Sequence, residues 1–168
     1  MSRRGFLSGL AGSGLLAASM AKASPVSDMD SGSIPDFAKW QLSEAEWKKR
    51  LTPEQFRVLR KNGTERAGSS PLDKEKRDGS FVCAGCALPL FTSAMKYDSG
   101  TGWPSFYDHL PNAISTRPDN SLWMKRTEYH CARCGGHQGH VFEDGPRDKT
   151  GLRYCNNGVA LKFIPGNG

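Results

Sequence analysis

No run of basic residues interleaved with aromatics occurs in this chain, which sets aside a nucleic-acid-binding surface. The positive charge does not restore one. The formal net charge is +6, and residues 1–23, read below as a removable leader, hold Arg3, Arg4 and Lys22 and no acids, so the remainder carries 6 − 3 = +3. Strand–helix–strand alternation is also missing, which argues against a parallel sheet. The uncharged run from Gly5 to Ala18 is too short for a comfortable membrane span. There is no internal repeat apart from two cysteine pairs. Cysteine is scarce: of five, four fall in Cys83-Ala84-Gly85-Cys86 and Cys131-Ala132-Arg133-Cys134, leaving Cys155 alone.

Nineteen glycines and ten prolines in 168 residues point to one domain of turns and short strands, not a helical bundle. The first residues read as an address. Paired arginines at Arg3-Arg4 precede the apolar run, and Ala21-Lys22-Ala23 offers small residues where a signal peptidase cuts. Ser-Arg-Arg-x-Phe-Leu resembles the twin-arginine export signal, which serves proteins that cross a membrane already folded. The expected organisation is a leader over 1–23, a polar linker over 24–35 and one domain over 36–168, exported to the periplasm with no stable membrane association after processing. A general secretory signal or an uncleaved anchor is the plainer alternative.

Ser43-Glu44-Ala45-Glu46 predicts a capping box opening a short helix, with Trp40 and Trp47 available for packing. Thr52-Pro53-Glu54-Gln55 predicts a second start with proline at the first helical position, and Asn62-Gly63 a stop. Both helices read as a cover on the main domain. Residues 62–78 are polar and read as a long loop. Strands are expected at Ser80–Val82, Ala113–Thr116, Leu122–Tyr129, His140–Phe142 and Val159–Phe163.

Each C-x-x-C turns two sulfurs toward one point, and two such turns supply a tetrahedron of thiolates that suits zinc. Forty-four residues separate Cys86 from Cys131, so the clamp would tie two distant hairpins. Disulfides are the alternative in an exported chain; a redox C-x-x-C lacks its usual strand–helix setting.

Cys155 reads as a nucleophile, the alternative being a buried cysteine acting as a small hydrophobe. In a strand Arg153, Cys155 and Asn157 share one side, setting a cation and an amide beside the sulfur, where a cation raises the thiolate fraction and Arg153 is expected to contact substrate. His137 and His140, in the glycine-rich turn after Cys134, are open to reading as proton donors, metal ligands or surface; with four sulfurs on the metal, ligation is the weakest of these. His109 and His130 have no such context and read as incidental. Trp103 and Phe106, in Gly100-Thr101-Gly102-Trp103-Pro104-Ser105-Phe106, read as walls of an apolar cup for a methyl or thioether group, with core packing the stronger alternative for Phe106.

Together Cys83-x-x-Cys86, Ser99–Phe106, Cys131-x-x-Cys134-Gly135-Gly136-His137-x-Gly139-His140-Val141-Phe142 and Gly151-Leu152-Arg153-Tyr154-Cys155-x-Asn157 resemble the B-type peptide-methionine (R)-S-oxide reductases, from about Trp40 to Phe163 and in the family's order. The resemblance implies a mainly β fold of two antiparallel sheets with N-terminal helices and one structural zinc. It implies reduction of the R epimer of methionine sulfoxide, free or in oxidised proteins; separately, the chain is expected to be a monomer. Cys155 matches the family's catalytic cysteine and Trp103 the tryptophan that receives the substrate methyl. His137, His140 and Asn157 match residues that position or protonate the sulfoxide. Many members carry a resolving cysteine where this chain has Thr101, so the expected reductant of the sulfenic acid at Cys155 is an external small thiol or thioredoxin-like protein. Gln138 and Asn156 are further departures. A zinc-stabilised β binding module and a thiol oxidant sensor are the rival readings.

Overall fold

The computed structural model describes residue 34 and residues 36–121 and 125–166; the expected leader, nearly all of the linker and the opening of the strand expected from Leu122 lie outside them. Both expected helix starts are present, and the second proves to be a capping box like the first. The Ser43 hydroxyl receives the Glu46 amide while the Glu46 carboxylate receives the Ser43 amide at 2.8 Å, opening α1 (Glu44–Arg50). Thr52 and Gln55 repeat the exchange at α2 (Pro53–Lys61), which ends on Asn62 in the left-handed region at φ 52°. Each cap contributes about 1 kcal/mol. Trp47 is buried under α2, where the Arg60 guanidinium lies 4.5 Å from its ring centroid. Among the described residues no helix is long and apolar enough to cross a membrane.

Among the described residues nine strands form two antiparallel sheets, so the chain is mainly β as expected. The smaller sheet has the order β2 (Pro89–Thr92), β1 (Gly79–Cys83), β9 (Leu161–Pro165). The larger has the order β3 (Lys96–Tyr97), β4 (Ser105–Phe106), β8 (Arg153–Asn156), β7 (His137–Phe142), β6 (Arg126–Cys131), β5 (Ile114–Asp119). β2, β3 and β4 were not expected, and a strand at β8 was assumed only in the argument for Cys155. They are two to four residues long and take their conformation from their neighbours rather than from any apolar alternation of their own. Val159 and Ala160, expected in a strand, lie in a 3-10 turn ahead of β9. The long loop is likewise partly ordered, with a 3-10 turn over Pro71–Lys74.

The core fills the space between the sheets. Phe91 stacks on Phe106 at 4.0 Å, Phe81 meets Phe106 edge-on at 5.0 Å, and Tyr129 and Tyr154 pack at 5.6 Å. Phe106, expected as a pocket wall, is therefore a core residue with no exposed surface. β4 pairs Phe106 with Tyr154, which turns both rings inward. The same alternation turns Cys155, His140, Glu128 and His130 to the opposite face of the larger sheet.

Candidate functional site

Cys83 and Cys86 flank the β1–β2 turn, and Cys131 and Cys134 the β6–β7 turn. The two turns are built alike: the Ala87 amide bonds the Cys83 carbonyl and the Gly135 amide the Cys131 carbonyl, each at 2.8 Å. All four sulfurs are buried, none is in a disulfide, and Cys83–Cys134 and Cys86–Cys131 stand 3.7 and 3.5 Å apart. A zinc with bonds of about 2.3 Å to four sulfurs needs S···S edges of ~3.8 Å. The cluster fits that ion and is a structural zinc site. Disulfide bonding of about 2.05 Å does not fit. The buried Gln138 amide donates to Cys83 Sγ at 3.4 Å and its oxygen accepts from Asn156 Nδ2 at 3.3 Å. This departure from the family pattern thus links the metal clamp to the strand that carries Cys155 and faces away from the open site.

β7 lies between β6 and β8, and its register sets His140 opposite Cys155 on one side and opposite Glu128 on the other. Directly opposed residues have Cβ atoms about 5 Å apart, so the imidazole and the sulfur meet on one face. A cavity of about 150 Å³ opens there, with Trp103 and Phe142 as apolar walls and Cys155, His140, Arg126 and Asn157 as polar lining. Gly102 allows Trp103 this position: its φ is +85°, and a Cβ there would come within 2.9 Å of the Gly68 amide nitrogen. The Trp103 indole N–H donates to the Glu65 carbonyl at 3.2 Å. The buried Glu65 carboxylate in turn receives the amides of Gly158 at 2.6 Å and Val159 at 2.9 Å. The supposed loop is thereby stapled to the residues following Cys155.

Burial pushes the Cys155 thiol above its ordinary range, against the pull of the Arg153 charge. The cation beside the sulfur is present as expected, but it does not outweigh burial. Arg153 itself, expected to contact substrate, is buried. It donates to both oxygens of Asp144 at 2.8 Å and lies 4.3 Å from the Phe142 ring centroid, behind the cavity. Asn157 falls just beyond β8. Its oxygen accepts from the Glu65 amide and its nitrogen donates to the Gln138 carbonyl, each at 2.9 Å, so it braces the wall it lines.

His140 Nε2 lies 2.8 Å from Asp119 Oδ2, which also accepts from Arg126 Nη2 at 2.7 Å. The Ser121 hydroxyl and amide, with His140, hold the Asp119 carboxyl well below the usual range, so it stays anionic. His137 is only 1% exposed and stands behind His140, with ring centroids 5.5 Å apart, outside the cavity lining. Burial first and the neighbouring His130 second depress its pKa to about 4. His130, read from the sequence as incidental, is buried against Glu128 and His137. Phe142 was findable from the sequence, two residues after His140 on the same strand face. Asp119 and Glu65 were not, because only long-range pairing brings them in.

The SelR domain family matches residues 51–165. The chain is 53% identical over 122 residues to the peptide methionine sulfoxide reductase MsrB of Leptospira interrogans, covering 72% of this chain and 92% of that one. It is 54% identical over 124 residues to the MsrB of Methanosarcina barkeri, covering 73% and 87%. To the chloroplastic peptide methionine sulfoxide reductase B1 of Arabidopsis thaliana it is 53% identical over 123 residues, covering 73% and 60%. With its cysteine clamp and its single thiol facing a histidine across two strands, the chain belongs to the SelR domain family.

Proposed function

We propose that the chain reduces methionine sulfoxide to methionine at Cys155, acting on the R epimer, free or within oxidised proteins. The observation that carries this is the cross-strand pairing of Cys155 with His140 at the floor of a small cavity with aromatic walls. A methyl group between Trp103 and Phe142 leaves the sulfoxide sulfur toward Cys155 and its oxygen toward the polar lining. Cys155 loses its proton and attacks the sulfoxide sulfur. The oxygen gains a proton and moves to the cysteine, giving a sulfenic acid and a thioether. The cysteine sulfur is oxidised by two electrons and the methionine sulfur reduced by two. Asp119 engages Nε2 of His140, so Nδ1 is the nitrogen left for proton exchange with the oxygen.

Zinc, held by Cys83, Cys86, Cys131 and Cys134, ties the two hairpins together and has no open position for chemistry. Thr101, where many family members have a resolving cysteine, shares a hydrogen bond with the Ser99 hydroxyl at 2.9 Å and cannot form a disulfide. A small thiol or thioredoxin-like protein then restores Cys155: one thiol condenses with the sulfenic acid, releasing water, and a second reduces the mixed disulfide. The twin-arginine-like start supports export to the periplasm, where the enzyme would work as a monomer. A binding module would have no use for a thiol and histidine facing one cavity. The test is turnover of resolved R and S epimers with dithiothreitol. Activity on R that vanishes in Cys155→Ser is expected; equal rates on both epimers, or activity surviving that substitution, would refute the reading.

A further inference from the structure

Behind His140 lies a second group of ligand-type side chains. β6 carries Glu128 and His130 on one face, two residues apart, and the register pairs Glu128 with His140 and His130 with His137. A bulge between Tyr129 and His130 brings His137 and His140 to that same face despite their spacing of three. Glu128, His130 and His137 are all buried, and one donor atom from each lies within 4.8 Å of the other two. Glu128 Oε1 stands 3.2 Å from His130 Nε2, and Glu128 Oε2 stands 3.2 Å from His137 Nδ1. Neither contact has hydrogen-bond geometry. Among the described residues His130 Nε2 and both nitrogens of His137 have no hydrogen-bond partner.

Buried polar atoms without partners are rare because each costs about 1–3 kcal/mol. Their arrangement here accounts for the exception. Two groups meet His130 Nδ1 at 3.2 Å, the Gly135 carbonyl, which can only accept, and Arg117 Nη2, which can only donate; with Arg117 swung away, the bond to Gly135 puts the ring proton on Nδ1 and leaves a lone pair on Nε2 facing the carboxylate. A lone pair and a carboxylate repel unless a cation lies between them. An imidazole that gives its second N–H to a backbone carbonyl is also the usual support of a metal-bound histidine. A four-coordinate ion with bonds of about 2.0–2.1 Å needs donor edges of ~3.3 Å, close to the two carboxylate–imidazole edges found.

We propose that Glu128, His130 and His137 bind a divalent transition cation, separate from the four-sulfur zinc, through two imidazoles and one carboxylate. That donor set suits zinc, cobalt, nickel or ferrous iron over magnesium or calcium. A cavity of about 500 Å³ lined by Glu128, His137, His140 and Asp119 gives access and room for water as a further ligand. Arg117 is the competitor. Its Nε donates to Glu128 Oε1 at 2.6 Å and its Nη2 stands 3.2 Å from His130 Nδ1, but the side chain is 56% exposed and free to swing outward. The site stands whether or not Cys155 reduces sulfoxides.

The test is a titration of the full, zinc-loaded chain with cobalt(II), read by metal content and visible absorption. One cobalt should bind beside one retained zinc, with weak bands of nitrogen and oxygen ligation and no sulfur charge-transfer band. His130→Asn and Glu128→Gln should each weaken cobalt binding by at least about tenfold, with zinc still at one equivalent. Glu128→Gln keeps the side chain's size, so one of the two remains readable if the other misfolds. His109→Gln should change nothing. Absence of a second metal in the wild type would overturn the proposal. So would unchanged binding in both variants, or binding lost in His140→Asn and kept in His130→Asn.

Discussion

The pairing of His140 with Cys155 depends on how closely β7 approaches β8, and Gly139 fixes that approach. A Cβ at Gly139 would lie 1.9 Å from the Cys155 carbonyl oxygen and 3.0 Å from its carbon. The obstacle is backbone, so no rotamer change relieves it. Bringing 1.9 Å to 3.0 Å, the shortest separation real Cβ atoms tolerate, opens the strands by 1.1 Å at the residue that carries the nucleophile. A misplacement of about 1 Å costs on the order of 100-fold in rate, and forced overpacking costs about 1–3 kcal/mol of stability. Gly139→Ala should therefore lose about two orders of magnitude in kcat on methionine-R-sulfoxide, with a lower melting temperature and one zinc retained. Steady-state kinetics, thermal melting and metal analysis on one preparation test this. A Gly139→Ala protein with wild-type kcat and Tm would show that the strand spacing does not set the reacting geometry.

Other outcomes follow from the same contacts. Cys83→Ser leaves three thiolates and should lose the metal; structural zinc binding of about 10–16 kcal/mol exceeds the usual global stability of about 5–15 kcal/mol, so circular dichroism should show an unfolded chain. Cys155→Ser should keep one zinc and melt within a few degrees of the wild type, and equal losses in the two variants would contradict the division between holding and reacting sulfurs. Glu65→Ala removes the acceptor of the Gly158 and Val159 amides. Bonds to charged groups contribute about 1.5–3 kcal/mol each, so a loss of about 3 kcal/mol is expected in denaturant titration; an unchanged midpoint would remove the staple from the account. Arg153 lowers the Cys155 pKa and Asp144 raises it. Arg153→Met should therefore move the alkaline rise of the pH–rate profile to higher pH, and Asp144→Asn to lower pH. Shifts of one sign in both would refute the electrostatic assignment.

What could be read from the sequence was local or chemically distinctive. The helix starts at Ser43 and Thr52 need only residues three apart, and the cysteine pairs place two sulfurs each by spacing alone. β4 could not be read because it is short, and β8, short and polar, could be assumed around Cys155 but not bounded; they are strands only because β7 and β3 flank them. The same limit governs individual side chains. Phe106 turns inward through its pairing with Tyr154, and Arg153 is taken by Asp144 across a turn whose closure the sequence does not display. His130 read as incidental because its partners, Glu128 and His137, meet it through a strand register and a bulge.

The central claim is that one sulfur reacts while four hold the fold. Its most direct test is mass analysis of the zinc-loaded protein after one turnover on methionine-R-sulfoxide without reductant. The expected product carries a single added oxygen, trapped by dimedone at Cys155, with one zinc still bound. An intrachain disulfide between Cys155 and a clamp cysteine, with the metal released, would contradict it.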